Sequence, residues 1–114
     1  SPTSCKTLSD TCWKFMDPEF ARKSPYQIYH WCDKGIISWF DFSKAIGMIG
    51  KKLKLIDAPA VINPIKSEDF ITEAKRPRYS ALDCSNTINV LNIKQENWKK
   101  SLEDVMKSIN KGDI

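Results

Sequence analysis

The chain has 114 residues, 41% of them hydrophobic and 28% charged, with a net charge of 18 − 14 = +4, which fits one small domain. No apolar run approaches the ~20 residues of a membrane span, and no basic start followed by an apolar stretch opens the chain. Its positive runs are short and mixed with acids (Lys51-Lys52, Lys99-Lys100), unlike the clustered patch of a nucleic-acid binder.

TLSDTCWKFM reads as the first helix, with Leu8, Cys12, Phe15 and Met16 on one apolar stripe. Asp17-Pro18 ends it, because the residue before a proline is pushed out of the α region. Asp17 can then cap one short further turn, with Pro18 in its first position. YQIYHW (26–31) alternates aromatic and β-branched residues and reads as a strand covered on both faces. Asp33-Lys34-Gly35 is a turn. Ser38 and Asp41 form a capping arrangement for a helix whose Trp39, Phe42, Ile46 and Ile49 share a face, with Gly50 as a plausible stop. AVINPI looks extended, but Pro64 confines it to an edge or to irregular pairing. SEDF reads as one helical turn, and residues 71–83, which contain RPRYSALD, have no period. A short helix follows near 84–91, with Asn92 suited to a left-handed end. Asn97 caps the clearest helix, on which Trp98, Leu102, Val105, Met106 and Ile109 recur at helical spacing. Trp31, Trp39 and Trp98 read as core aromatics.

The sum is an α+β layout of four helical pieces and two or three short strands, or part of an α/β one. Strands covered on both faces need more protein than this chain supplies. Together with an opening at Ser1-Pro2-Thr3 without methionine, this reads as a fragment or excised domain. The cysteines at 5, 12, 32 and 84 form no CxxC, and His30 has no partner at metal-ligand spacing. Two disulfides are arithmetically possible. Without a secretory signal, reduced thiols in a cytoplasm are the expectation. His30 reads as a packed or partly exposed side chain, and Glu68-Asp69 as charge at a helix start.

Four stretches in order resemble one family. SPTSCKTLSDTCWKF is similar to a Pro-Thr turn and helix, QIYHWCDKGIISWFDFSKAI to a strand, glycine turn and "S-W-Y-E-F-A" helix, and INPIKSEDF to a "P-I" strand with its turn. RPRYSALDCSNTINVLNI, with Trp98 after it, resembles an "R-P-x-x-S-x-L-D" loop and the last helix. Together they resemble the C-terminal, substrate-binding portion of dTDP-4-dehydrorhamnose reductases, in the extended short-chain dehydrogenase/reductase superfamily. The resemblance implies that residues 1–114 form a sugar-nucleotide-binding portion of an extended Rossmann-type reductase. It also implies that the Rossmann cofactor domain is absent from this chain.

By the same resemblance Arg76 and Ser80 hold the diphosphate-sugar, and Thr3, with Pro2, lies near the active-site floor. An Arg fork matches phosphate oxygens, and Pro77 stiffens its backbone. The implied partner is a dTDP-sugar. The intact enzyme would use NADPH or NADH to reduce dTDP-4-dehydro-L-rhamnose to dTDP-L-rhamnose. The chain itself holds no Tyr-x-x-x-Lys, and its glycines at 35, 47, 50 and 112 cannot form G-x-G-x-x-G. It is therefore expected to bind no cofactor, to carry no catalytic residue and to be inactive alone. Its docking surface would meet the missing Rossmann half or a second copy. The regulatory β subunit of methionine adenosyltransferase shares the "RPR…LDCS" stretch, so a non-catalytic sugar-nucleotide-binding or regulatory module is the alternative.

Overall fold

The computed structural model describes residues 1–25, 28–70, 72–74 and 77–112. Among the described residues five helices begin where local chemistry allows them to. Helix α1 (Cys5–Phe15) starts at Ser4, whose hydroxyl accepts the Thr7 N–H at 3.1 Å. Asp17 accepts the Glu19 N–H at 2.9 Å and opens α2 (Pro18–Lys23) with proline in its first turn. The Ser38 hydroxyl accepts the Asp41 N–H at 3.0 Å and donates to the Asp41 carboxylate at 2.7 Å, capping α3 (Trp39–Lys52). Helix α4 (Ser85–Leu91) follows Cys84, and Asn97 caps α5 (Trp98–Lys111) through the Lys99 N–H.

The helix ends are equally local. Asn92 and Gly112 take left-handed φ values of 48° and 74° after α4 and α5. After α3 the Lys54 N–H donates to Lys51 and the Leu55 N–H to the Gly50 carbonyl, a double closure around a left-handed residue. That residue is Lys54, at φ 59°. A side chain there is strained in a way glycine is not. Lys54→Gly is expected to stabilise the fold by roughly 0.5–1 kcal/mol, read as a higher urea midpoint; a lower midpoint would contradict this account.

Helices α3 and α5 pack on each other. Ala45, Ile49 and Gly50 are buried on α3, and Ser101 and Met106 on α5. A Cβ on Gly50 would lie 3.3 Å from Met106 Cε and from Ile56, and one on Gly47 would lie 3.0 Å from Pro59 Cβ. Small residues at 47 and 50 therefore let the 56–59 segment and α5 close on α3. Lys52 adds an exposed ion pair to Glu103 at 3.0 Å, which solvent screens.

The described part of the expected 26–31 strand forms no ladder; Tyr26 and Gln27 lie outside the described residues. Among the described residues the one pairing of strand type is an isolated parallel bridge, Lys34 to Asn97. A strand needs a neighbour, and here the backbone of 30–34 is met largely from elsewhere. The His30 carbonyl accepts from Thr87 Oγ1 at 2.5 Å, the Cys32 carbonyl from Gln95 Nε2 at 2.7 Å, and Lys34 exchanges two bonds with Glu96 and Trp98. Segment 28–34 is the hub on which α1, α4 and α5 are hung. Tyr29 joins it to α1 and α2 through Phe15 and Phe20, with ring centroids 4.7 and 5.9 Å away.

Several apolar faces remain outside. On α1 the buried side is Thr11, with Thr7 half-buried, while Leu8, Cys12 and Met16 of the expected stripe are exposed. The reason is polar: Thr7 is bound to a buried carboxylate at 2.6 Å, which fixes the helix rotation. Trp39, expected in the core, is 76% exposed, whereas Trp31 and Trp98 are half-buried. The 60–65 segment is irregular, with Val61 92% exposed. The chain exposes 9330 Å², where a compact monomer of this mass would expose about 6,400 Å². Its radius of gyration is 17.1 Å, against about 13 Å for a compact chain of this length. No helix among the described residues is long and apolar enough to cross a membrane.

Candidate functional site

A cavity of about 140 Å³ lies where the start of α1 meets α3, α5 and the hub segment. Its walls are mainly apolar, from Phe42, Trp98, Leu102 and Val105, with Thr3, Asp33 and Ser101 as polar points. The Phe42 and Trp98 rings meet edge to face at 6.0 Å. Trp98 is seated by the bond from its own N–H to the Lys34 carbonyl at 3.0 Å.

Asp33 is 1% exposed. One carboxylate oxygen accepts the Ser4 N–H at 3.1 Å and the other the Thr7 hydroxyl at 2.6 Å. A carboxylate at the first turn of a helix also meets its favourable dipole. The Asp33 N–H in turn reaches Thr3 Oγ1 at 3.4 Å. Asp33 thus meets Thr3 through its main chain and holds the next residue, Ser4, through its carboxylate. Ser101 is the counterpart from α5. Its hydroxyl is buried and has no hydrogen-bond partner among the described residues, so it is the cavity's spare polar group.

Of the residues named from sequence, Thr3 lines this cavity and Ser80 does not. Ser80 sits exposed on the 77–83 loop, and Arg76 lies outside the described residues. Arg78 is exposed and pairs with Glu68 at 2.8 Å. Asp83 stands just before the Cys84 N-cap of α4 and accepts both the Ser85 N–H at 2.9 Å and the Ser85 hydroxyl at 2.6 Å. Those bonds, the hydroxyl's first, hold its pKa below the usual carboxylate value. His30 is exposed, as a surface side chain.

Asp33 and Ser101 escaped the sequence reading. The aspartate looked like turn chemistry, but Ser101 left a signal: it stands three residues after Trp98 and four before Val105, a polar residue on an apolar face. No group of three metal-ligating side chains occurs among the described residues. Nor do the residues fit a nicotinamide dinucleotide. Gly35 lies beneath Trp98, Gly47 and Gly50 are inside α3, and Gly112 ends α5, so no glycine turn opens a helix toward a pyrophosphate.

The family model for the RmlD substrate binding domain matches residues 1–111. The chain belongs to this family. Two curated relatives match as well. A dTDP-4-dehydrorhamnose reductase of Aggregatibacter actinomycetemcomitans is 31% identical over 80 residues, covering 70% of this chain and 27% of that protein. The spore coat polysaccharide biosynthesis protein SpsK of Bacillus subtilis (strain 168) is 26% identical over 106 residues, covering 93% of this chain and 33% of its own length. The RmlD-type chain therefore spans about a third or less of the relatives it matches. No solved structure matches it.

Proposed function

We propose that this chain is the substrate-gripping portion of a dTDP-4-dehydrorhamnose reductase-like protein. In the intact protein NADPH or NADH would reduce the 4-ketone of dTDP-4-dehydro-L-rhamnose, giving dTDP-L-rhamnose. The observation that carries the reading is the family match over residues 1–111. The geometry supports a division of labour. The Asp33 carboxylate repels phosphate, while the hydroxyls of Thr3 and Ser101 and the apolar walls of the cavity suit the neutral sugar. The anionic diphosphate belongs on the 76–80 loop, with Arg76 and Ser80. Hydride transfer belongs to a Rossmann part outside these residues. We also propose that this part completes the α+β layout, giving 28–34 its missing neighbour and covering exposed apolar side chains such as Trp39 and Met16.

Titrating the chain with a dTDP-hexose, followed by amide NMR, tests this. Weak binding is expected, since part of the pocket is elsewhere. Removing a charge-assisted phosphate bond costs on the order of 1.5–3 kcal/mol, or about tenfold or more in affinity. Arg76→Ala is thus expected to weaken the dTDP-hexose about tenfold, with free hexose unaffected. Equal affinities in wild type and variant remove Arg76 from the site.

A further inference from the structure

Two buried thiols meet where the central segment touches the start of α4. Cys32 Sγ and Cys84 Sγ are 3.6 Å apart, 5% and 4% exposed respectively, and 52 residues apart in sequence. All four cysteines are free, and the other two, Cys5 and Cys12, are exposed on α1. We propose that Cys32 and Cys84 are a redox modification site, which a hydroperoxide-class oxidant converts to an intramolecular disulfide that fastens the root of the 77–83 loop to the hub segment.

The geometry needs little adjustment. The sulfurs must close from 3.6 Å to the about 2.05 Å of a disulfide. The surroundings give the sulfurs different parts. Gln95 Nε2 stands 3.9 Å from Cys32 Sγ, while Cys84 Sγ donates toward the Leu82 carbonyl at 3.9 Å. Burial pushes the Cys84 thiol up to about 11, so it enters as the protonated resolving partner.

Cys32 sulfur attacks the peroxide oxygen, giving a sulfenic acid and the alcohol or water from the broken O–O bond. Cys84 sulfur then displaces hydroxide from the sulfenic sulfur, and its proton leaves with that hydroxide as water. Two thiols lose two electrons and two protons, and the peroxide is reduced by the same two electrons. Because both sulfurs are buried, the oxidant reaches them only on local opening of the fold, and the reaction is slow beside oxidation of exposed Cys5 and Cys12.

The test uses the full chain with Cys5→Ser and Cys12→Ser, oxidised with hydrogen peroxide and digested without reductant. Mass spectrometry is expected to find one peptide pair joined through Cys32 and Cys84 in a monomer lighter by two hydrogens. Closing so long a loop is expected to raise Tm by on the order of 10 °C, reversibly with dithiothreitol. Deuterium uptake by residues 77–83 should fall in step. Adding Cys84→Ala to that chain should abolish all three changes. The proposal fails if the folded chain, by circular dichroism, yields both cysteines as unlinked thiols or as sulfinic acids. Linkage between two copies overturns it as well.

Discussion

Gly35→Ala is expected to destabilise the fold by about 3–5 kcal/mol, the sum of an unfavourable backbone and an overfilled contact. Gly35 has φ 118°, which side-chain-bearing residues rarely adopt. A Cβ there would lie 2.4 Å from Trp98 Cδ1 and 2.9 Å from Trp98 Nε1. The indole cannot retreat freely. It is edged by Phe42 at 6.0 Å, and its backbone is tied to Lys34. Moving it also deforms the cavity that holds Thr3. Urea unfolding of the variant measures the loss. A double-mutant cycle with Trp98→Leu then separates its causes: the cost of Gly35→Ala should fall by roughly half once the ring is gone. A Gly35→Ala chain within about 0.5 kcal/mol of wild type would mean that the ring does not rest on this backbone.

The same position shows what a sequence can and cannot carry. Asp33-Lys34-Gly35 announces a turn, yet nothing local says that an indole 63 residues further on covers the glycine. Three of the helix starts were legible because Ser38 with Asp41, Asn97, and Asp17 with Pro18 act within three residues of themselves, whereas the Ser4 cap of α1 was not. Asn92 was legible for the same reason. Gly47 and Gly50 carried no such message, since their meaning lies in Pro59, Ile56 and Met106. Which face of α1 turns inward was not legible either. Hydrophobic spacing pointed to Leu8 and Met16, but the Thr7–Asp33 bond chose Thr7 and Thr11. In the site, the Pro-Thr turn led to Thr3, while the buried acid beside it came from another segment and looked like loop composition.

That acid carries the second large effect. Asp33→Ala removes the acceptor of two donors, the Ser4 N–H and the Thr7 hydroxyl, in a place with almost no access to water. Each stranded donor costs about 1–3 kcal/mol, but Thr7 can still turn its hydroxyl to the Ser4 carbonyl at 3.1 Å. A net loss of roughly 2–4 kcal/mol is expected, read by urea unfolding. Asp33→Asn discriminates between charge and hydrogen bonding. Its amide oxygen can keep the Ser4 bond and its NH₂ can donate to Thr7 Oγ1, so the loss should shrink to about 1 kcal/mol. Equal losses for Ala and Asn would instead assign the effect to the negative charge at the start of α1. Either way the damage should be seen first at the Ser4 and Thr7 amides, by faster hydrogen exchange, before α3 and α5 loosen. If exchange instead accelerates uniformly, the acid supports the whole fold and does not act as a local clamp on the cavity wall.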